Sequence, residues 1–122
     1  MSGVYTLSRG VVVFLGFAVL LGVLWFANSL GAASIIAGVL TGFCSIAAAF
    51  VPRRKLSSDP ARRILITLCI VGTSSELILV ADDLGTSRGI EWDVVAIRLL
   101  HIAALATMAL TALRWSPEPT SL

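Results

Sequence analysis

"GVVVFLGFAVLLGVLWFANSLGAASIIAGVLTGFCSIAAAFV" (Gly10–Val51) contains no charged side chain. A helix needs about 20 apolar residues to cross the hydrocarbon core of a bilayer. The run therefore has room for two spans, with a turn expected at its most polar, glycine-bearing part, "NSLGAAS" (Asn28–Ser34). A soluble fold could not bury such a stretch on one face, so lipid is the expected solvent. A membrane β-barrel would show period-two alternation of polarity, which is missing here. Backbone amides in lipid must pair within their own segment, and only a helix does that without partners.

The rest of the chain continues the pattern. Its 122 residues are 57% hydrophobic and 13% charged, with mean hydropathy +0.97, whereas about a quarter of an ordinary soluble domain is charged. Two more apolar runs follow. The expected fold is all-α: an integral membrane protein with a four-transmembrane-helix bundle of two helical hairpins, as a single domain over 1–122. The spans are placed at about 10–28, 33–51, 64–82 and 94–113. They are joined by a basic loop (52–63) and an acidic loop (83–93), and a short tail, "SPEPTSL", follows.

Local signals mark the ends. Pro52 is expected to stop the second helix, having no amide hydrogen to donate. Asp59 before Pro60 reads as an N-cap with proline in the first turn. Gly85 is a C-terminal stop after the third helix. "FANSLGAAS" offers small residues like those of a signal-peptidase site, but the apolar run is longer than a signal core, so the segment is expected to be retained. Lipidation is not expected either, since Ser2 rather than glycine follows Met1.

Orientation follows from charge. The middle loop carries Arg53, Arg54, Lys55, Arg62 and Arg63 against Asp59 alone; the last loop carries Asp82, Asp83, Glu91 and Asp93 against Arg88. The positive-inside rule puts the middle loop and both termini in the cytoplasm, and the protein in the inner (cytoplasmic) membrane. Trp25 and Trp92 are expected at the outer interface, and Tyr5 and Trp115 at the inner one, as an aromatic belt.

Glu76 is out of place in this pattern. It lies about 9 Å inward from Asp82 at the helical rise per residue, and Arg98 and His101 lie about 7–8 Å and 12 Å inward from Asp93. The short last loop makes the third and fourth helices antiparallel neighbours, which brings these three groups to matching depth. An unpaired charge in mid-bilayer costs ~2.5–3.5 kcal/mol on insertion scales. Glu76 is therefore expected to face Arg98, with His101 joining the network. The pair reads first as an orienting salt bridge and second as a proton or ion relay; a Glu76 solvated at the interface is the remaining case. Cys69, Gly72, Thr73, Glu76 and Asp83 fall on one stripe of the third helix, with Arg62 further back, and such a stripe could line a polar path.

The second span has a different signature. Ser34, Gly38 and Gly42 recur every fourth residue, and Ser45 extends the small surface. Small residues at this spacing let helix backbones approach closely. Packing within the chain is the first reading, and self-association or partner binding the second. Cys44 and Cys69 lie outside any C-x-x-C pair and read as small apolar groups. The five basic loop residues read as a topology determinant, with attraction to anionic lipid of about 1 kcal/mol each when close to the surface. Asp82, Asp83, Glu91 and Asp93 could hold a cation, but no metal-ligand spacing, Ser/His/Asp set or phosphate-binding glycine loop is present. No cofactor is expected, and a net charge of +2 without basic–aromatic interleaving gives no case for nucleic acid.

Three function classes remain. The first is a non-enzymatic accessory, exclusion or immunity-type component that acts by helix packing with itself or a membrane partner. The second is an oligomeric pore like the phage holins, an analogy of size and helix number; the strongly charged tail of many holins is missing. The third is a small ion- or proton-coupled transporter using Glu76, Arg98 and His101. The small multidrug transporters are similar in length and helix count, but their key acid lies in the first helix, where this sequence has none. The uncharged first hairpin and charged second one also argue against inverted repeats. An enzyme is the least expected.

Overall fold

The computed structural model describes residues 2–26, 28, 31–85 and 92–114, apart from the side chains of Ser2 and Arg53. Its elements are α1 (Ser2–Trp25), α2 (Ala32–Ala49), a short 3-10 helix (Arg53–Ser57), α3 (Asp59–Leu84) and α4 (Trp92–Leu113). All four α-helices are long and apolar enough to cross a membrane. Each packs against its neighbours in chain order, and α1 closes the ring against α4. Large apolar side chains such as Phe14, Phe17, Leu21, Leu24 and Phe43 point outward, away from the bundle axis.

Several boundaries differ from the sequence expectation. The first helix begins at Ser2 rather than near residue 10, because nothing in "SGVYTLSR" breaks it and Arg9 has a use inside the fold. The Arg9 Nε donates to the Ala49 carbonyl (2.9 Å) and the Tyr5 hydroxyl donates to the Val51 carbonyl (2.8 Å). The carbonyls at a helix C-terminus lack intrahelical partners and carry partial negative charge, so a guanidinium there is favourable. Tyr5 is consequently buried at 0% exposure and is not part of an interfacial aromatic belt, whereas Trp25 and Trp92 are exposed. Trp115, Arg88, Glu91 and the tail "SPEPTSL" lie outside the described residues.

The first turn is also shorter than Asn28–Ser34. Gly31 is extended and Ala32–Ser34 already belong to α2. That helix ends at Ala49, with the Phe50 and Val51 amides folding back onto Ala47 and Ala48, just ahead of Pro52. Proline disfavours helical backbone in the residue before it, which accounts for the early stop. Ser58, not Asp59, is the N-cap of α3. The Asp59 carboxylate instead pairs with Arg62 one turn on, while the Arg62 Nη1 donates to the Leu56 carbonyl. α3 ends at Leu84, and the Gly85 amide bonds to the Ala81 carbonyl with right-handed backbone (φ −88°). α4 starts at Trp92, two residues early, with Asp93 in its first turn, where the helix dipole favours an anion.

The core sits at the end of the bundle that carries the 3-10 helix. Tyr5, Val12, Leu65, Leu105 and Met108 meet there, and Leu56 closes the end like a lid. Close backbone approach of α1 and α2 completes the fold. A Cβ on Gly42 would lie 2.4 Å from Leu20 Cγ and 3.1 Å from the Gly16 carbonyl oxygen, and one on Gly38 would lie 2.4 Å from Val23 Cγ2. The small-residue spacing of α2 is thus engaged by α1 within the chain.

Candidate functional site

The opposite half of the bundle is polar. Glu76 on α3 is buried at 0% exposure and His101 on α4 at 1%. The Arg98 Nη1 donates to Glu76 Oε1 at 3.1 Å. His101 Nδ1 lies 3.3 Å from Glu76 Oε2. That contact is close but poorly aligned, so Oε2 has no hydrogen-bond partner and is an orphaned buried oxygen. Structure and sequence place these three residues in one cluster for a simple reason: α3 and α4 are antiparallel neighbours, and the helical rise sets their depth.

The network extends beyond those three residues. The Arg98 Nε also donates to Asp83 Oδ2 at 2.5 Å, so the guanidinium bridges two carboxylates one heptad apart on α3. Ser34 donates to Asp82 Oδ2 at 3.2 Å. The Ser45 hydroxyl meets His101 Nε2 at 2.8 Å, reaching across the bundle diagonal from α2 to α4. If Nδ1 carries the hydrogen beside Glu76, Nε2 accepts from Ser45; a protonated ring donates from both nitrogens. Ser34 and Ser45, grouped by sequence with Gly38 and Gly42 as packing residues, therefore also serve the charged cluster. Asp83 had a visible signal, its seven-residue offset from Glu76. Nothing in the sequence pairs α2 with α4 across the diagonal.

Ser45, His101 and Glu76 stand in the order of a serine–histidine–carboxylate relay, an arrangement the spacing did not reveal. Ser45 does not face a cavity, however. It is 0% exposed, and a Cβ on Gly16 of α1 would lie only 3.0 Å from its own Cβ. Its hydroxyl is sealed beneath α1, out of reach of a substrate.

Glu76, Arg98 and His101 do line a cavity of about 280 Å³ between α1, α3 and α4. It runs from the end marked by Phe26, Ser34, Asp82 and Val94 inward to His101, with Leu15, Val19 and Val23 as its apolar wall on α1. Three carboxylates face it (Glu76, Asp82, Asp83) against the single guanidinium of Arg98. Below this level the stripe of α3 turns apolar. A Cβ on Gly72 would touch Leu105 and the Cys44 Cβ at 3.4 and 3.5 Å, and Cys69 is buried in the core cluster. The stripe that could have lined a continuous polar path is interrupted there by packed side chains.

The remaining sequence candidates are elsewhere. Arg54, Lys55 and Arg63 are exposed at the far end, Arg62 is engaged by Asp59 and Leu56, and the Arg53 side chain lies outside the described residues. Cys44 and Cys69 are free thiols. Among the described residues no three His, Cys, Asp or Glu side chains gather as a metal site. Asp82 and Asp83 are turned to Ser34 and Arg98, and Asp93 is exposed at the α4 N-terminus. Compared with protein-family models, curated proteins and solved structures, the chain matches none.

Proposed function

We propose that this protein is a small ion- or proton-coupled transporter of the inner (cytoplasmic) membrane, with the basic loop and both termini on the cytoplasmic side. The single observation that carries the reading is Glu76: a fully buried carboxylate on the wall of a cavity, with one oxygen that makes no hydrogen bond. Ionisable groups within a membrane are expensive and by default mark an ion or proton path. In this reading Glu76 is the group that gains and loses the cation. Arg98 limits the cost of its charge, and His101 with Ser45 completes the local proton-exchanging set. The packed core around Leu105 and Met108 is the closed gate.

The accessory-component reading drew on the small-residue spacing of α2, the short loops and the lack of catalytic groups, and α1 packs against Gly38 and Gly42 on that surface. An oligomeric pore needs polar side chains on an outer face to share a lumen, while Glu76, Arg98 and His101 point into the single bundle. Both readings are therefore ranked below transport.

The test is reconstitution into liposomes that enclose a pH-sensitive dye, with an imposed potassium potential driving proton entry. Wild-type protein should acidify the lumen, and Glu76→Gln, inserted to the same level, should not. Proton entry that persists unchanged in Glu76→Gln would defeat the reading.

A further inference from the structure

We infer that the cavity is a binding site for a small amphipathic organic cation: a protonated amine with a compact apolar body, its ammonium on Glu76 Oε2. The inference deepens the transport reading, since it names a ligand class for the same site, and it rests on that reading for its physiological meaning only.

Charge selects the sign of the ligand. With His101 neutral the described lining carries a net charge of −2, from Glu76, Asp82 and Asp83 against Arg98. The Arg98 guanidinium already donates from Nη1 to Glu76 and from Nε to Asp83, so the carboxylates outweigh its charge and an anion entering the chamber would meet net repulsion. Glu76 is the counterpart: it lines the cavity, and its Oε2 is buried without a hydrogen bond, with His101 Nδ1 standing 3.3 Å away. A buried acceptor left unmade costs about 1–3 kcal/mol, more when charged, and an ammonium hydrogen would supply the missing bond in its strong, charge-assisted form.

The walls select the rest of the ligand. Leu15, Val19 and Val23 of α1 face Leu79 of α3 and Val94 and Ile97 of α4, a largely apolar chamber around one charged corner. A bare metal ion would leave its other coordination positions facing aliphatic carbon. A protonated amine presents its polar end to Glu76 and its hydrocarbon to the valines. Small-molecule sites usually span roughly 300–1,000 Å³, so a chamber of about 280 Å³, just under that range, calls for a small ligand. Asp82 at the mouth, holding only the Ser34 hydroxyl among its hydrogen bonds here, adds a second negative charge along the entry route.

Gly22 gives a way to close the chamber without touching a charge. It lines the cavity, and a Cβ there would have no atom within 4 Å, so a larger side chain enters open space. The experiment is calorimetric titration of purified, detergent-solubilised protein with 2-phenylethylammonium, with 2-phenylethanol as its uncharged counterpart and sodium chloride as competitor. The ammonium should bind at least tenfold more tightly than the alcohol and resist displacement by equimolar sodium. Both Glu76→Gln and Gly22→Leu should weaken it tenfold or more, the latter with an unchanged thermal transition. Equal binding of the alcohol, displacement by equimolar sodium, or full affinity in a folded Gly22→Leu would each overturn the inference. If Glu76→Gln does not fold, Gly22→Leu decides. Proton entry into liposomes without amine binding would overturn this inference and leave the transport reading standing; amine binding without proton entry would do the reverse.

Discussion

The two halves of the bundle use the same four helices and differ in what occupies the centre. At the end carrying the 3-10 helix, Leu65, Leu105 and Met108 fill the middle, and Tyr5 and Arg9 tie α1 to the last carbonyls of α2. At the other end α1 and α4 leave a chamber, and the helices are joined across it by Arg98, Glu76, Asp83, His101 and Ser45. Dispersion and close packing hold one half, and charge-assisted hydrogen bonds hold the other. In a bilayer, the solvent expected from the sequence, there would be little hydrophobic force between helices, and both devices would then keep four apolar rods in one register. The comparison teaches that the polar half cannot be judged by its packing: its order depends on every charge keeping a partner.

The largest effect that would test this contrast is loss of one charge. Arg98→Gln leaves Glu76 buried without its counter-charge and should cost about 3–5 kcal/mol, read as failure to accumulate or an early thermal transition in detergent. The double variant Arg98→Gln with Glu76→Gln should recover much of the loss, and if it is no better than the single variant the pair is not coupled. Next is the packed half: Leu105→Ala should cost roughly 2–5 kcal/mol by opening a void beside Gly72. Leu79→Ala, also buried but on the chamber wall, should cost less, and equal losses would erase the distinction between the halves. Gly42→Leu comes third. It forces side-chain atoms onto Leu20 and the Gly16 carbonyl, and overpacking of this kind costs typically about 1–3 kcal/mol in thermal unfolding. The smallest is Tyr5→Phe, which removes the bond to Val51 and should cost about 0.5–1.5 kcal/mol.

How much of this was legible in the sequence depended on the range of the interaction. The four helices followed from hydropathy, which is a property of each segment alone. Contacts between Glu76 and Arg98 followed from counting rise along two antiparallel neighbours. Tyr5 stands at the basic-loop end but turns into the core; an aromatic near a helix end suits an interface as well as a core, and only the position of Val51 decides which way it faces. The N-cap of α3 falls at Ser58, one residue before the expected Asp59, whose carboxylate pairs with Arg62. Ser45 and His101 meet across the bundle diagonal, a relation that no periodicity within a helix encodes. The chamber itself reflects a gap between α1 and α4, the two helices farthest apart in the chain.

The central claim is a cavity that leads to Glu76 and stops short of the packed half. Its most direct test is labelling of single cysteines by a membrane-impermeant, water-soluble maleimide. The background would have Cys44 and Cys69 replaced by alanine, and the sites would be Leu79→Cys, buried on the chamber wall, and Met108→Cys in the packed half, with the protein in sealed liposomes and in detergent-opened ones. Rapid labelling at position 79 and none at 108 under either condition is the result expected. Equal labelling at both positions would mean a continuous aqueous path, and no labelling at either would mean that no water-filled chamber reaches this depth; each would contradict the account.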